Sequence, residues 1–343
     1  MSGIVNFGDV SLGKYVLVEE IGVIAAEFFK QRDAIIIEVF ANDRIEGLAG
    51  ADETVSATTK FDKDAEFWVK YEWVAASGSY ILETLELDLN GEEPVPAYFS
   101  RPKNAKAPWP SLLYSHAHGG AYQIGKEELI AGRPALWPVP YAEAMAERGV
   151  ACLCIDHWCF GERCGREEMH MFKSMLWYGK VLWGMMVYDS LRAMDYLVSR
   201  PDVDAQRIGA AGISMGSTLS VWTAALDTRI KTCVELCCLT DYEEMEKDDN
   251  IKHGIYYYVP SLRKYFDTAD ISALIAPRPH LCTAGRYDRA TPMDGLERIE
   301  AQLNKVYEDM GAKGGFQLNI YPCGHMEPRA MREDILAFFD QTL

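Results

Sequence analysis

In "AAGISMGS", residues 210–217, Ser214 sits between two glycines, each two residues away. A serine hydroxyl is a weak nucleophile until a base takes its proton and a third group holds that base. Both partners lie downstream: "TAGRYDRATP" carries Asp288 and "LNIYPCGHMEP" carries His325. A serine, a carboxylate and an imidazole in this chain order are the parts of an acyl-transfer site. His325 would take the Ser214 proton, Asp288 would fix the imidazole tautomer and its charge, and water would later cleave the acyl-enzyme. Asp241 also follows a strand-like run and is the rival for the acid position.

Such a serine needs a strand before it, a helix after it and a sharp turn between. "RIGAAGI" has the apolar texture of a strand, and "MGSTLSVWTAAL" is rich in helix formers with apolar residues at helical spacing. Glycines two residues either side leave room for a strained turn that bulky side chains would block. Further apolar runs stand at 111–116, 149–156, 230–238 and 280–285, with an alternating strand at 316–321. Continuous apolar strands separated by helical patterns predict a parallel sheet covered on both faces, with ligands beyond the carboxyl ends of its strands. A long helix is predicted from Ser174 to the residue before Pro201, with Val187, Leu191, Met194 and Val198 on one face. From about residue 67, "FWVKYEWVAAS", "YILETLELDLN" and "PVPAYFSRP" read as antiparallel strands opening the sheet.

From "YILETLELDLN" to the C-terminus the chain resembles the dienelactone hydrolase and acetyl xylan esterase branch of the α/β-hydrolase superfamily. The residues carrying the resemblance are "SHAHGGAY", "IDHWCFGER", "RPDVDAQRIGAAGISMG", "LIAPRPHLCTAGRYD" and "YPCGHMEP". It implies an α/β-hydrolase fold: a mostly parallel, doubly wound sheet with antiparallel N-terminal strands and helical insertions. It also favours Asp288 over Asp241, because the "GRYDRATP" setting matches the family. Dienelactone hydrolases proper use a cysteine, so Ser214 points to a serine carboxylesterase acting on small to medium acyl esters. The oxyanion donors implied are the backbone N–H of Met215, after the nucleophile, and that of His118, where "HAHGG" resembles the family's His-Gly-x segment. An amidase, peptidase or thioesterase would share this chemistry, and an idle hydrolase fold used for binding is the rival from another class.

A formal charge of −17 over 343 residues excludes a protein built to neutralise phosphates, so no nucleic-acid partner is expected. The start "MSGIVNFGDV" shows no basic segment leading into an apolar run, and no membrane span or secretion signal is expected. Nine cysteines, several in apolar runs and none paired as C-x-x-C, suggest reduced thiols in the cytoplasm. Residues 1–66 are expected to form a helical extension packing on the core, and 67–343 the catalytic domain, with insertions near 157–180 and 239–268. His116 and His118 lack the further ligands a metal site needs, and His157, Cys159, Cys164 and His170 match no zinc spacing. No metal or organic cofactor is expected, and the partner is a small-molecule ester. Homo-oligomerisation is left open by the sequence. Glu162 and Arg163 read as a structural ion pair or loop anchor. Trp158, Phe160, Trp177, Tyr256 and Tyr257, in the two insertions, are expected to wall an apolar acyl pocket.

Overall fold

The computed structural model describes residues 57–60, 68–247 and 253–343, with side chains from residue 78. By contacts the chain divides into units Met1–Arg44 and Ile45–Leu343, and everything described here belongs to the second. The expected helical extension over 1–66 therefore lies outside the described residues except at 57–60, where the chain is strand, not helix. These four residues pair antiparallel with the next strand, which satisfies their backbone groups in a ladder.

The strands are β1 (Ala57–Lys60), β2 (Trp68–Ser77), β3 (Tyr80–Leu87), β4 (Val95–Pro102), β5 (Trp109–Ser115), β6 (Ala151–Ile155), β7 (Val203–Ile213), β8 (Ile230–Leu236), β9 (His280–Gly285) and β10 (Phe316–Tyr321). They form one sheet in the order β1-β2-β3-β4-β6-β5-β7-β8-β9-β10. β1 to β4 pair antiparallel and β4 meets β6 antiparallel, while the strands from β6 across to β10 are parallel. The composition explains the difference. "ACLCI" of β6 and "HLCTAG" of β9 are buried at every position, as strands covered on both faces must be, whereas β3 and β4 mix buried and half-buried positions.

The helices are α1 (Glu128–Ala131), α2 (Tyr141–Ala146), α3 (Glu168–Trp177), α4 (Leu182–Ser199), α5 (Met215–Leu226), α6 (Tyr242–Lys247), α7 (Thr268–Ala273), α8 (Met293–Asp309) and α9 (Arg329–Thr342). One core cluster packs α4 and α5 against the sheet through Met186, Met194, Leu219 and Val221. A second packs α1, α2 and α9 through Leu129, Tyr141, Met331 and Phe339. The single helix expected from Ser174 is in fact two, α3 and α4. Gly179 takes a left-handed φ of 69° and breaks the pattern, while Gly184 is absorbed into α4. The end before Pro201 is as expected, because Arg200 adopts the extended backbone a following proline favours. Among the described residues no helix is long and apolar enough to cross a membrane.

From β5 the chain crosses one way to β6 and the other way to β7, so the carboxyl ends of β5 and β7 border the switch point of the sheet. The expected insertions leave that edge: α3 with a short turn at Gly161–Arg163, and α6 with turns at Ile255–Tyr257 and Leu262–Lys264.

Candidate active site

Ser214 stands between β7 and α5 with φ 58° and ψ −122°, a region L-residues rarely occupy. Its N–H donates to Leu236 O at 2.9 Å, anchoring the turn to the end of β8. The flanking glycines have a steric reason beyond the turn itself. A Cβ on Gly212 would lie 2.3 Å from Ser115 O, and one on Gly216 would lie 1.9 Å from the same oxygen. The elbow therefore presses against the β5 carboxyl end, which no spacing in the sequence could reveal.

Asp288 follows β9 and is 5% exposed. Its Oδ1 accepts Ala290 N–H at 2.9 Å, and its Oδ2 accepts His325 Nδ1–H at 2.7 Å. With Nδ1 donating, Nε2 of neutral His325 carries the free lone pair a base needs. The two loops meet because Gly285 has no side chain, since a Cβ there would lie 2.3 Å from Gly324 O. Arg286 and Tyr287 N–H groups then bond Tyr321 O and Cys323 O at 2.7 and 2.9 Å. Asp241, the rival acid, instead accepts Glu244 N–H at 3.0 Å and pairs with Arg298 at 2.9 Å, the work of a helix-end anchor.

Burial pulls the His325 imidazolium down, but the hydrogen bond and charge of Asp288 outweigh it. Cys238 adds to the rise, His253 opposes it, and the net shift is upward from the ordinary histidine value. A base works only when neutral, so kcat/KM is expected to rise with pH through a single ionisation above about 6.5. An acid limb centred below pH 6 would contradict this arrangement. The protonated form is the stabilised one, so the pair's contribution to folding is complete below the unfolded-state pKa. It is lost as pH rises through the folded-state value.

After β5 the chain turns through Gly119 and Gly120 at φ 54° and 68°. Ala117 N–H is taken by buried Glu128 at 3.1 Å and Ala117 O by Arg133 Nη2 at 3.0 Å. Among the described residues, no acceptor bonds His118 N–H. Met215 N–H opens α5, where no preceding turn supplies a carbonyl. His116 is buried, with Nδ1 donating to Ala117 O at 3.0 Å and Nε2 accepting His157 N–H at 3.1 Å, and burial lowers its pKa to about 3. Both of its nitrogens thus serve the fold. His157 is buried while Cys164 and His170 are exposed, so these residues do not converge, and all nine cysteines are free thiols.

Several expectations need correction. Trp177 is 88% exposed at the end of α3, and Trp158 lies beneath Arg163, 4.3 Å from its ring centre. Trp177 therefore faces solvent, and Trp158 packs under the loop anchor Arg163. Phe160 and Tyr256 instead pack on the His118 ring at 5.0 and 5.2 Å, joined by Tyr122 at 5.1 Å, which the sequence reading missed. Tyr257, in keeping with the expectation, lines a small cavity with Val221, Trp222 and Tyr242, and stacks on His253 at 5.0 Å. Glu162 and Arg163 do not pair with each other. Arg163 binds Glu93 at 2.7 Å and Asp189 at 2.8 Å, and Glu162 binds buried Lys126. They anchor the loop, through partners far away in sequence.

A doubly wound sheet with a strained serine at its switch edge, a carboxylate two strands beyond and the histidine it bonds one strand further defines an α/β-hydrolase of the serine esterase class. The acetyl xylan esterase (AXE1) family model matches residues 52–276, and the chain belongs to that family. It is a carboxylic ester hydrolase. The match includes Ser214 and stops short of Asp288 and His325. YtaP, a provisionally named hydrolase of Bacillus subtilis (strain 168), is 48% identical over 264 residues, covering 77% of this chain and 88% of its own. The acetyl xylan esterase of Paenibacillus sp. R4 has a TM-score of 0.57 at 20% identity, with 82% of this chain and 90% of that chain covered. A glucuronoyl esterase from Solibacter usitatus has a TM-score of 0.60 at 17% identity, covering 83% and 88%. At these identities the two structures speak for the fold alone.

Proposed function

We propose that this serine carboxylesterase cleaves small acyl esters through an acyl-enzyme on Ser214. In this reading His325 is the base, Asp288 its orienting acid, and the N–H groups of His118 and Met215 the donors to the oxyanion. The observation carrying the reading is the 2.7 Å His325–Asp288 bond, formed by loops that leave the same sheet edge as the strained Ser214 turn. As Oγ attacks the ester carbonyl, its proton moves to Nε2 of His325 and negative charge gathers on the carbonyl oxygen. The imidazolium then protonates the leaving alcohol. Water, deprotonated by the same nitrogen, releases the acid and restores the serine. Preorganised donors at the oxyanion contribute about 3–4 kcal/mol each in such sites. The free thiols, mostly buried, support a cytoplasmic setting.

Phe160, Tyr122 and Tyr256 crowd the His118 turn and favour a short acyl group. A pocket that still has room rewards each methylene by about 0.8 kcal/mol, roughly fourfold in kcat/KM, until its wall is met. The test is a series of aryl esters from acetyl to decanoyl, run beside acetylated sugars, a thioester and an anilide. The maximum is expected between acetyl and butyryl, with a steep fall by octanoyl and little turnover of the anilide. A maximum at decanoyl, or activation at a lipid–water interface, would reject the short pocket.

A further inference from the structure

The His118 ring is braced on several sides in the turn after β5, and serine-hydrolase chemistry gives it no task. Its Nδ1 accepts Gly120 N–H at 3.0 Å, which leaves the proton on Nε2, and Nε2 meets Glu168 Oε1 at 3.1 Å. Glu168 is 7% exposed and belongs to α3, in the first insertion. Tyr256, from the second insertion, stacks on the ring at 24°, while Tyr122 and Phe160 meet it edge-on. Gly254 leaves room for the Tyr256 ring, since a Cβ there would lie 2.8 Å from it, and sits close to the same carboxylate, where that Cβ would lie 3.2 Å from Glu168 Oε2. One imidazole therefore ties both insertions to the turn after β5.

The peptide joining Ala117 to His118 is held from the other side as well. Its carbonyl oxygen accepts from Arg133 Nη2 and His116 Nδ1, each at 3.0 Å. A peptide is planar and trans, so fixing the direction of C=O fixes the opposite direction of the His118 N–H. What those two bonds leave free is a tilt of the whole plane between its flanking Cα atoms, and the ring's bonds to Gly120 and Glu168 hold the His118 end against it. Charge on an oxyanion is best stabilised by donors that need no rearrangement as the charge forms. We propose that the His118 imidazole, held by Glu168, is a positioning residue that aims the peptide N–H of its own residue at the ester oxygen in the transition state.

This inference rests on the proposed reaction, and the two are separated experimentally. The full-length enzyme and its variants are assayed with 4-nitrophenyl acetate and titrated with a small alkylboronic acid, whose tetrahedral serine adduct places an oxygen where the oxyanion forms. His118→Phe keeps a ring for the aromatic cage and loses both hydrogen bonds. It is expected to lower kcat on the order of 10²-fold, about the loss of one oxyanion donor, with KM changed less than about threefold. Boronate affinity should fall in parallel, because it reports transition-state binding; a change confined to folding would lower Tm without moving the two together. His118→Asn restores an acceptor for Gly120 N–H, as asparagine does two residues along a turn, and should recover about tenfold of the loss.

If His118→Phe does not fold, the Glu168 pair carries the test. Glu168→Ala should lower kcat about tenfold, whereas Glu168→Gln, whose amide oxygen accepts the same Nε2–H, should stay within about threefold of wild type. Wild-type kcat and boronate affinity in His118→Phe, or in Glu168→Ala, would overturn the positioning role. If Ser214→Ala retains turnover, the reading of the site falls instead.

Discussion

Replacing Ser214 by alanine is expected to lower kcat on the order of 10⁴ to 10⁶-fold and to abolish covalent labelling by a fluorophosphonate. The size follows from how triads act: without the nucleophile no acyl-enzyme forms, and only binding and the oxyanion donors remain to favour direct attack by water. The fold should tolerate the change. The Ser214 backbone contacts are its N–H to Leu236 O and its C=O to Thr218 N–H, and alanine keeps both. A cost remains, because a methyl side chain is no better suited than a hydroxymethyl to φ 58°. Activity and Tm should therefore separate, with turnover lost while cooperative unfolding persists. Labelling at another serine, with turnover intact in Ser214→Ala, would displace the assignment.

The acid is tested by a paired substitution. Asp288→Asn should cost on the order of 10⁴ in kcat, because an amide in place of Oδ2 no longer fixes the His325 tautomer or stabilises the imidazolium. It should also move the acid limb of the kcat/KM profile down, because the partner holding the His325 pKa up is gone. The second effect distinguishes loss of the partner from simple misfolding. Asp241→Asn should stay within about threefold of wild type, because Asp241 faces Glu244 and Arg298. Its amide oxygen still accepts the helix N–H and can still accept from Arg298, because both bonds run to the one oxygen Oδ1. If Asp241→Asn were crippling and Asp288→Asn nearly silent, the two assignments would be exchanged.

Residue types and local spacing pointed to the candidate reacting groups and to the strands that carry them. Gly-x-Ser-x-Gly between an apolar run and a helical one is a local pattern, and so is a carboxylate or histidine just past a strand. β5 to β9 are legible because strands buried on both faces must be largely apolar, a property written residue by residue, and the edge strand β10 is legible from its alternation instead. Helix ends were less secure: Gly179 and Gly184 look alike in sequence, yet one breaks the helix and the other lies inside it. Tertiary structure alone decided which distant groups meet. His118 and Glu168 are 50 residues apart, and Arg163 finds Glu93 70 residues away instead of its neighbour Glu162. Gly285 matters because Gly324 lies against it, and Trp177 points to solvent although its composition suits a pocket. Short-range periodicity reports which face of an element is apolar. Long-range pairing depends on where loops land once the sheet has formed, and that is set by packing between elements whose spacing along the chain carries no record of it.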